Sequence, residues 1–162
     1  MRAFILTFSL ALAPNALASD APLLPTTCTA TAAQQHTSDA AIEAGDAAMR
    51  AGKPDQATQH FGEALVATPC SAPAWQRYGS ALLASGQHAA AVRALGRAIA
   101  IDNADARTWV QMARARQDLG QWEAAGRAYE VALDLMPDLA VARTGLRDVQ
   151  SKRRTATMAA SR

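Results

Sequence analysis

A period of 34 residues governs most of this chain. Gly52, Gly86 and Gly120 stand 34 apart, and so do Ala57, Ala91 and Ala125, and Ala64, Ala98 and Ala132. Gly45, Gly79 and Ala113 keep the same spacing, as do Trp75 and Trp109. Phe61, Leu95 and Tyr129 form one large apolar row, and Leu65, Ile99 and Leu133 another. Pro69 and Pro137 are two periods apart, with Asn103 midway. Chance supplies one such row, not several in a single register. The chain is built of like units, each too small to bury its own apolar face, so neighbours must stack.

Each unit reads as two helices. The pattern predicts Ser38–Ala51 with Asp55–Ala67, Ala72–Ser85 with His88–Ile101, and Ala106–Leu119 with Trp122–Leu135. The recurrent glycine follows the first helix of each pair, where a left-handed residue ends a helix without steric cost. The recurrent alanines mark close helix approach, and the tryptophan and large apolar rows fill the gaps between pairs. Composition agrees: 41 of 162 residues are Ala and only 5% are aromatic. Ala favours helix and disfavours strand, which argues against a sheet protein. Two cysteines exclude a disulfide-dense miniprotein. A net charge of +2 with 50% apolar residues argues against a disordered chain.

These residues resemble the tetratricopeptide repeat, whose pattern runs W-x2-L-G-x2-Y, then Ala, Phe, Ala and Pro. The second period carries Trp75, Tyr78-Gly79, Leu82, Gly86, Ala91, Leu95 and Ala98. The third carries Trp109, Met112-Ala113, Gly120, Ala125, Tyr129, Ala132 and Pro137. The first has Ala41 in place of the Trp but keeps Gly45, Gly52, Ala57, Phe61, Ala64 and Pro69. Arg116 stands where the family usually has Tyr, and Asn103 replaces one Pro. The resemblance covers residues 38–139. It implies an all-α solenoid of three tetratricopeptide helix pairs (38–71, 72–105 and 106–139). A C-terminal capping helix is expected over 140–151, with Leu139, Ala142, Leu146 and Val149 at helical spacing. Residues 152–162 read as a basic disordered tail.

The N-terminal segment reads as an address. Met1-Arg2 precedes an apolar run from Ala3 to Ala13, and Ala16-Leu17-Ala18 offers the small residues of a cleavage site. Residues 1–18 are therefore expected to be a secretory signal peptide, cut between Ala18 and Ser19. Spanning a bilayer takes about 20 apolar residues, so no stable membrane anchor is expected. Arg outnumbers Lys 14 to 2 and Ala is abundant, a bias of GC-rich bacterial genomes. The expected location is the bacterial periplasm or the exterior. Residues 19–37, with Pro22 and Pro25, read as a linker. Cys28 in that linker and Cys70 after the first pair are an isolated couple, which an oxidising compartment favours as a disulfide. Two free thiols or an intermolecular bridge are the alternatives.

No reactive constellation emerges. His36, His60 and His88 lie too far apart for a local metal motif. There is no phosphate-binding glycine loop and no nucleophile motif. The expectation is a non-enzyme without metal or cofactor. Residues 139–162 carry 6 basic and 1 acidic residue, but export argues against nucleic acid, and Lys152-Arg153-Arg154 reads as a solvated tail.

The resemblance further implies that the first helix of each pair lines a concave groove where ligand peptides lie. Carried onto this chain, the groove takes Asp39, Ile42, Asp46 and Met49 from the first unit. It takes Gln76, Arg77, Ser80 and Leu83 from the second, and Arg107, Val110, Gln111, Arg114 and Gln117 from the third. Gln76, Arg77, Ser80, Arg107, Val110, Gln111, Arg114 and Gln117 are the candidate peptide contacts. One subgroup of the family clamps a C-terminal carboxylate with Lys, Asn and Arg; here Ile42 and Asp46 hold two of those positions, so that clamp is not expected. An Arg-bearing groove favours an acidic segment, unless its polar groups serve only solubility. The function implied is a non-catalytic periplasmic adaptor for an unidentified protein or peptide. The alternative is a self-associating structural envelope protein.

Overall fold

The computed structural model describes residues 28–160. They form seven helices: α1 Ala32–Arg50, α2 Pro54–Ala67, α3 Ala72–Ala84, α4 His88–Ile101, α5 Ala106–Asp118, α6 Trp122–Leu135 and α7 Ala140–Ala160. Each odd helix packs on the even helix that follows, and each even helix packs on the next odd one. The result is an all-α solenoid of three helix pairs closed by α7.

The turns within pairs share one construction. Gly52, Gly86 and Gly120 have φ of 69°, 73° and 70°. At the first turn Gly52 N–H donates to Met49 O at 3.0 Å and Lys53 N–H to Ala48 O at 2.9 Å, and the other two turns repeat this. These are the paired bonds that satisfy the last carbonyls of a helix through a left-handed residue. The turns between pairs use tryptophan instead. Trp75 Nε1–H donates to Pro69 O at 2.8 Å, and Trp109 Nε1–H to Asn103 O at 2.8 Å. Only the carbonyl is used, so Asn103 replaces a proline without loss of this bond.

The pairs are held by large residues of even helices against small residues of odd ones. A Cβ placed on Gly79 would lie 2.6 Å from Leu95 Cγ, and Leu95 is fully buried. Ala113 of α5 is also fully buried, as are Ala57, Ala64, Ala91, Ala125 and Ala132 on the even helices. Close contact at these positions requires side chains no larger than a methyl group. Tyr129 closes the array: its ring fills the space beside Gly145 of α7, where a Cβ would overlap it.

The ends differ from expectation. Residues 32–37 are not linker but the first turns of α1. Thr31 caps them: its hydroxyl accepts from Gln34 N–H at 3.2 Å, and the Gln34 side chain accepts from Thr31 N–H at 2.8 Å. The capping helix does not stop at 151, and residues 152–160 are helical rather than a disordered tail. That stretch contains no Gly or Pro to break it. Thr155 and Thr157 hydroxyls donate to Lys152 O at 2.8 Å and Arg153 O at 3.0 Å. The signal peptide expected over residues 1–18 lies outside the described residues. Cys28 and Cys70 form a disulfide, with Cα atoms 5.5 Å apart, which fastens the segment before α1 to the α2–α3 turn.

Candidate functional site

The odd helices share one face. α5 touches both α3 and α7, while no comparable contact joins α2 to α4 or α4 to α6. The array therefore curves toward its odd helices, and their free sides line the concavity.

Polar rungs tie that face together, two of them directly between neighbouring odd helices. Arg77 Nε–H of α3 donates to both carboxylate oxygens of Asp46 in α1, at 3.2 and 3.3 Å. Gln111 Nε2–H of α5 donates to Ser80 Oγ of α3 at 2.6 Å. Gln76 Nε2–H donates to Asp105 Oδ2 at 2.6 Å. Asp105 also caps α5, accepting from the Arg107 and Thr108 amides. Tyr129 O–H donates to Gln117 Oε1 at 3.1 Å. Five of the eight candidate contacts, Gln76, Arg77, Ser80, Gln111 and Gln117, thus join the solenoid's own parts together.

Val110 does not reach the groove. It is 7% exposed and belongs to the main core cluster, because this apolar side chain turns inward where Gln76 of α3 turns out. Arg107 and Arg114 remain. Both are exposed, and neither side chain makes an ion pair or hydrogen bond among the described residues. They are the cations this face offers to another molecule.

Arg114 stands between two clefts. One is lined by Ser80, Leu83, Ala84, Gln111, Gln117 and Asp118. The other is lined by Gln117, Tyr129, Val141, Thr144, Gly145 and Asp148. Burial raises the pKa of the Tyr129 hydroxyl, and Asp118 and Asp148 add to the rise against the opposing charge of Arg114. α7 thus supplies one wall of the second cleft in addition to capping the array, which its own apolar spacing does not announce. The signal lies in the 34-residue period: adding 34 to Arg107, Val110 and Arg114 gives Val141, Thr144 and Asp148.

Among the described residues no group of three or more His, Cys, Asp or Glu side chains could hold a metal ion. His60 and His88 lie 3.3 Å from Glu63 and Asp118 respectively, and His36 is exposed. No described helix is long and apolar enough to cross a membrane. Lys152, Arg153 and Arg154 are exposed on α7.

No curated protein matches the chain in sequence at a significant level. Solved structures do match in fold. The TPR domain of Sgt2 from Aspergillus fumigatus is 24% identical, with a TM-score of 0.73, over 83% of this chain and 88% of that one. The first TPR of Spaghetti (RPAP3), bound to the HSP90 peptide SRMEEVD, is 22% identical, with a TM-score of 0.72, over 74% and 95%. The second TPR domain of human RPAP3, in complex with the HSP70 peptide SGPTIEEVD, is 21% identical, with a TM-score of 0.67, over 73% and 96%. The tetratricopeptide repeat family itself matches residues 48–107 and 82–147. With its three stacked helix pairs, the chain belongs to the tetratricopeptide repeat family.

Proposed function

We propose that this chain is an exported adaptor of the bacterial periplasm that holds a protein or peptide segment along its concave face. The observation that carries the reading is the pair Arg107 and Arg114. They are exposed charges on a face whose other polar groups are largely matched internally. A guanidinium fork is suited to a carboxylate, so the segment is acidic. The two RPAP3 domains above, similar in fold, bind peptides that end in EEVD. The export reading draws on the apolar segment before Ala18 and on the Cys28–Cys70 bridge, which persists in oxidising compartments.

The test is capture of a partner from envelope extract, followed by affinity measurement with Arg107→Ala and Arg114→Ala variants that melt as the parent does. Weaker binding in either, and a fall in affinity with added salt, agree with the reading. Unchanged affinity in both would place the partner elsewhere on the molecule. Light scattering addresses the self-association alternative, which requires a mass that rises with concentration.

A further inference from the structure

Two of the rungs across the concave face follow a rule that breaks at its third step. Asp46 pairs with Arg77, 31 residues on, and Ser80 pairs with Gln111, again 31 residues on. The next members of these rows are Arg114 and, 31 residues later, Gly145. Gly145 has no side chain to offer. It has no room for one either, because the Tyr129 ring occupies the space a Cβ would take. Arg114 is thus a rung without its partner, and it borders a cleft walled by Val141, Thr144, Gly145 and Tyr129.

We infer that a partner supplies the missing rung: the side-chain carboxylate of a single Asp or Glu, within an extended segment, seats on Arg114 beside Gly145. This rests on the groove reading above and narrows it to one subsite. The chemistry follows from the first rung, where the complement of an arginine on this face is a carboxylate taking both oxygens to the guanidinium. The occupant is an internal residue rather than a chain end because clefts open on both sides of Arg114, toward α3 and toward α7. A segment passing through has room to continue either way. It is one carboxylate rather than an acidic run because Asp118 lines the first cleft and Asp148 the second. Each repels a further acid next to the anchored one.

The test is an amide and guanidinium NMR titration of the full disulfide-bonded chain with N-acetylated, C-amidated Ala-Ala-Glu-Ala-Ala. Saturable shifts at Arg114, Thr144 and Gly145 are expected, absent with the Gln analogue. Arg114→Gln should weaken the peptide about tenfold, as the loss of one charge-assisted contact implies. Arg127→Gln, on α6, should leave it unchanged. Thr144→Glu, at an exposed position in the same cleft, supplies an internal carboxylate and should block the site without touching the arginine. A peptide with two consecutive Glu should bind no better than the single one. Shifts confined to α1 and α3, indifferent to Arg114→Gln, would overturn the subsite and leave the groove reading standing. Absence of saturable shifts up to the peptide's solubility would also overturn the subsite. So would tighter binding of Ala-Ala-Glu with a free C-terminus, or persistence of binding in Thr144→Glu. The groove reading itself fails only if the captured partner ignores every concave-face substitution.

Discussion

Adding one methyl group at Gly79 and at Gly62 should move stability in opposite directions. Both glycines lie inside helices, α3 and α2, where Ala is favoured over Gly by about 0.5–1 kcal/mol. At Gly62 the new Cβ meets Tyr78 Cε2 at 3.9 Å, an ordinary contact, so the helical gain is kept. At Gly79 it would lie 2.6 Å from Leu95 Cγ and 2.8 Å from Cδ2. Cγ is the branch point of a side chain that is 0% exposed, so it cannot swing aside as a surface methyl would. Overpacking of this kind costs about 1–3 kcal/mol. After the helical gain, Gly79→Ala should lose about 0.5–2 kcal/mol. For a chain of this size 1 kcal/mol is about 3–5 °C in melting temperature. Thermal melts followed by circular dichroism at 222 nm would resolve the pair. Gly79→Ala melting at or above the parent would refute the packing of α3 on α4, and with it the register of the repeats.

Reduction of the Cys28–Cys70 bridge releases a loop of 42 residues in sequence separation, worth up to about 4 kcal/mol in the chain-entropy treatment. Urea unfolding with and without reductant should therefore differ in midpoint, and coincident curves would contradict the fastening. Tyr129 titrates with a raised pKa in the folded state, so the folded chain holds its proton more tightly than the unfolded chain does. Stability should be full below the ordinary value of 10.0 and fall as pH climbs through the folded value. Tyr129→Phe should flatten that fall, and an unchanged slope would speak against it. Asp46→Ala breaks a half-exposed ion pair whose side chains are 36% and 40% exposed, so its cost in stability should stay under about 1 kcal/mol. Mass spectrometry of the envelope fraction should find a chain that starts at Ser19; an intact Met1 form in the cytoplasm would contradict export.

The helix pairs were legible because their markers are geometric. Gly86 is where a left-handed residue is needed, and Gly79 is where Leu95 leaves no room, whatever the rest of the sequence does. The ends of the array were less so. Thr31 and Gln34 form a capping box that starts α1 early, but the neighbouring prolines and threonines pointed to a linker. Lys152, Arg153 and Arg154 looked like a solvated tail, although arginine and lysine are good helix formers and nothing there breaks the helix.

The site was legible in register and not in pairing. The 34-residue period names which positions face the concavity, but the Asp46–Arg77 and Ser80–Gln111 rungs join residues 31 apart, a relation set by how neighbouring helices are offset in space. Sequence therefore placed Arg77 and Arg114 as equals. The structure separates them: Arg77 is matched by Asp46, whereas Arg114 shares a cleft with Gly145, which has no side chain to pair with it. Val110 followed the same period yet turned inward, since an apolar side chain at that edge gains by joining the core.

The central question is whether a partner lies along the odd helices. Photo-crosslinking in the native envelope decides it, with a benzophenone amino acid placed at Val141 or at Val66. Val141 borders the Arg114 cleft and is 52% exposed; Val66 lies on α2, outside the concave face, and is 85% exposed. A partner in the concavity should give a discrete crosslinked species from Val141, lost when Arg114→Gln is added, and none from Val66. A crosslink from Val66 with nothing from Val141 would contradict that placement.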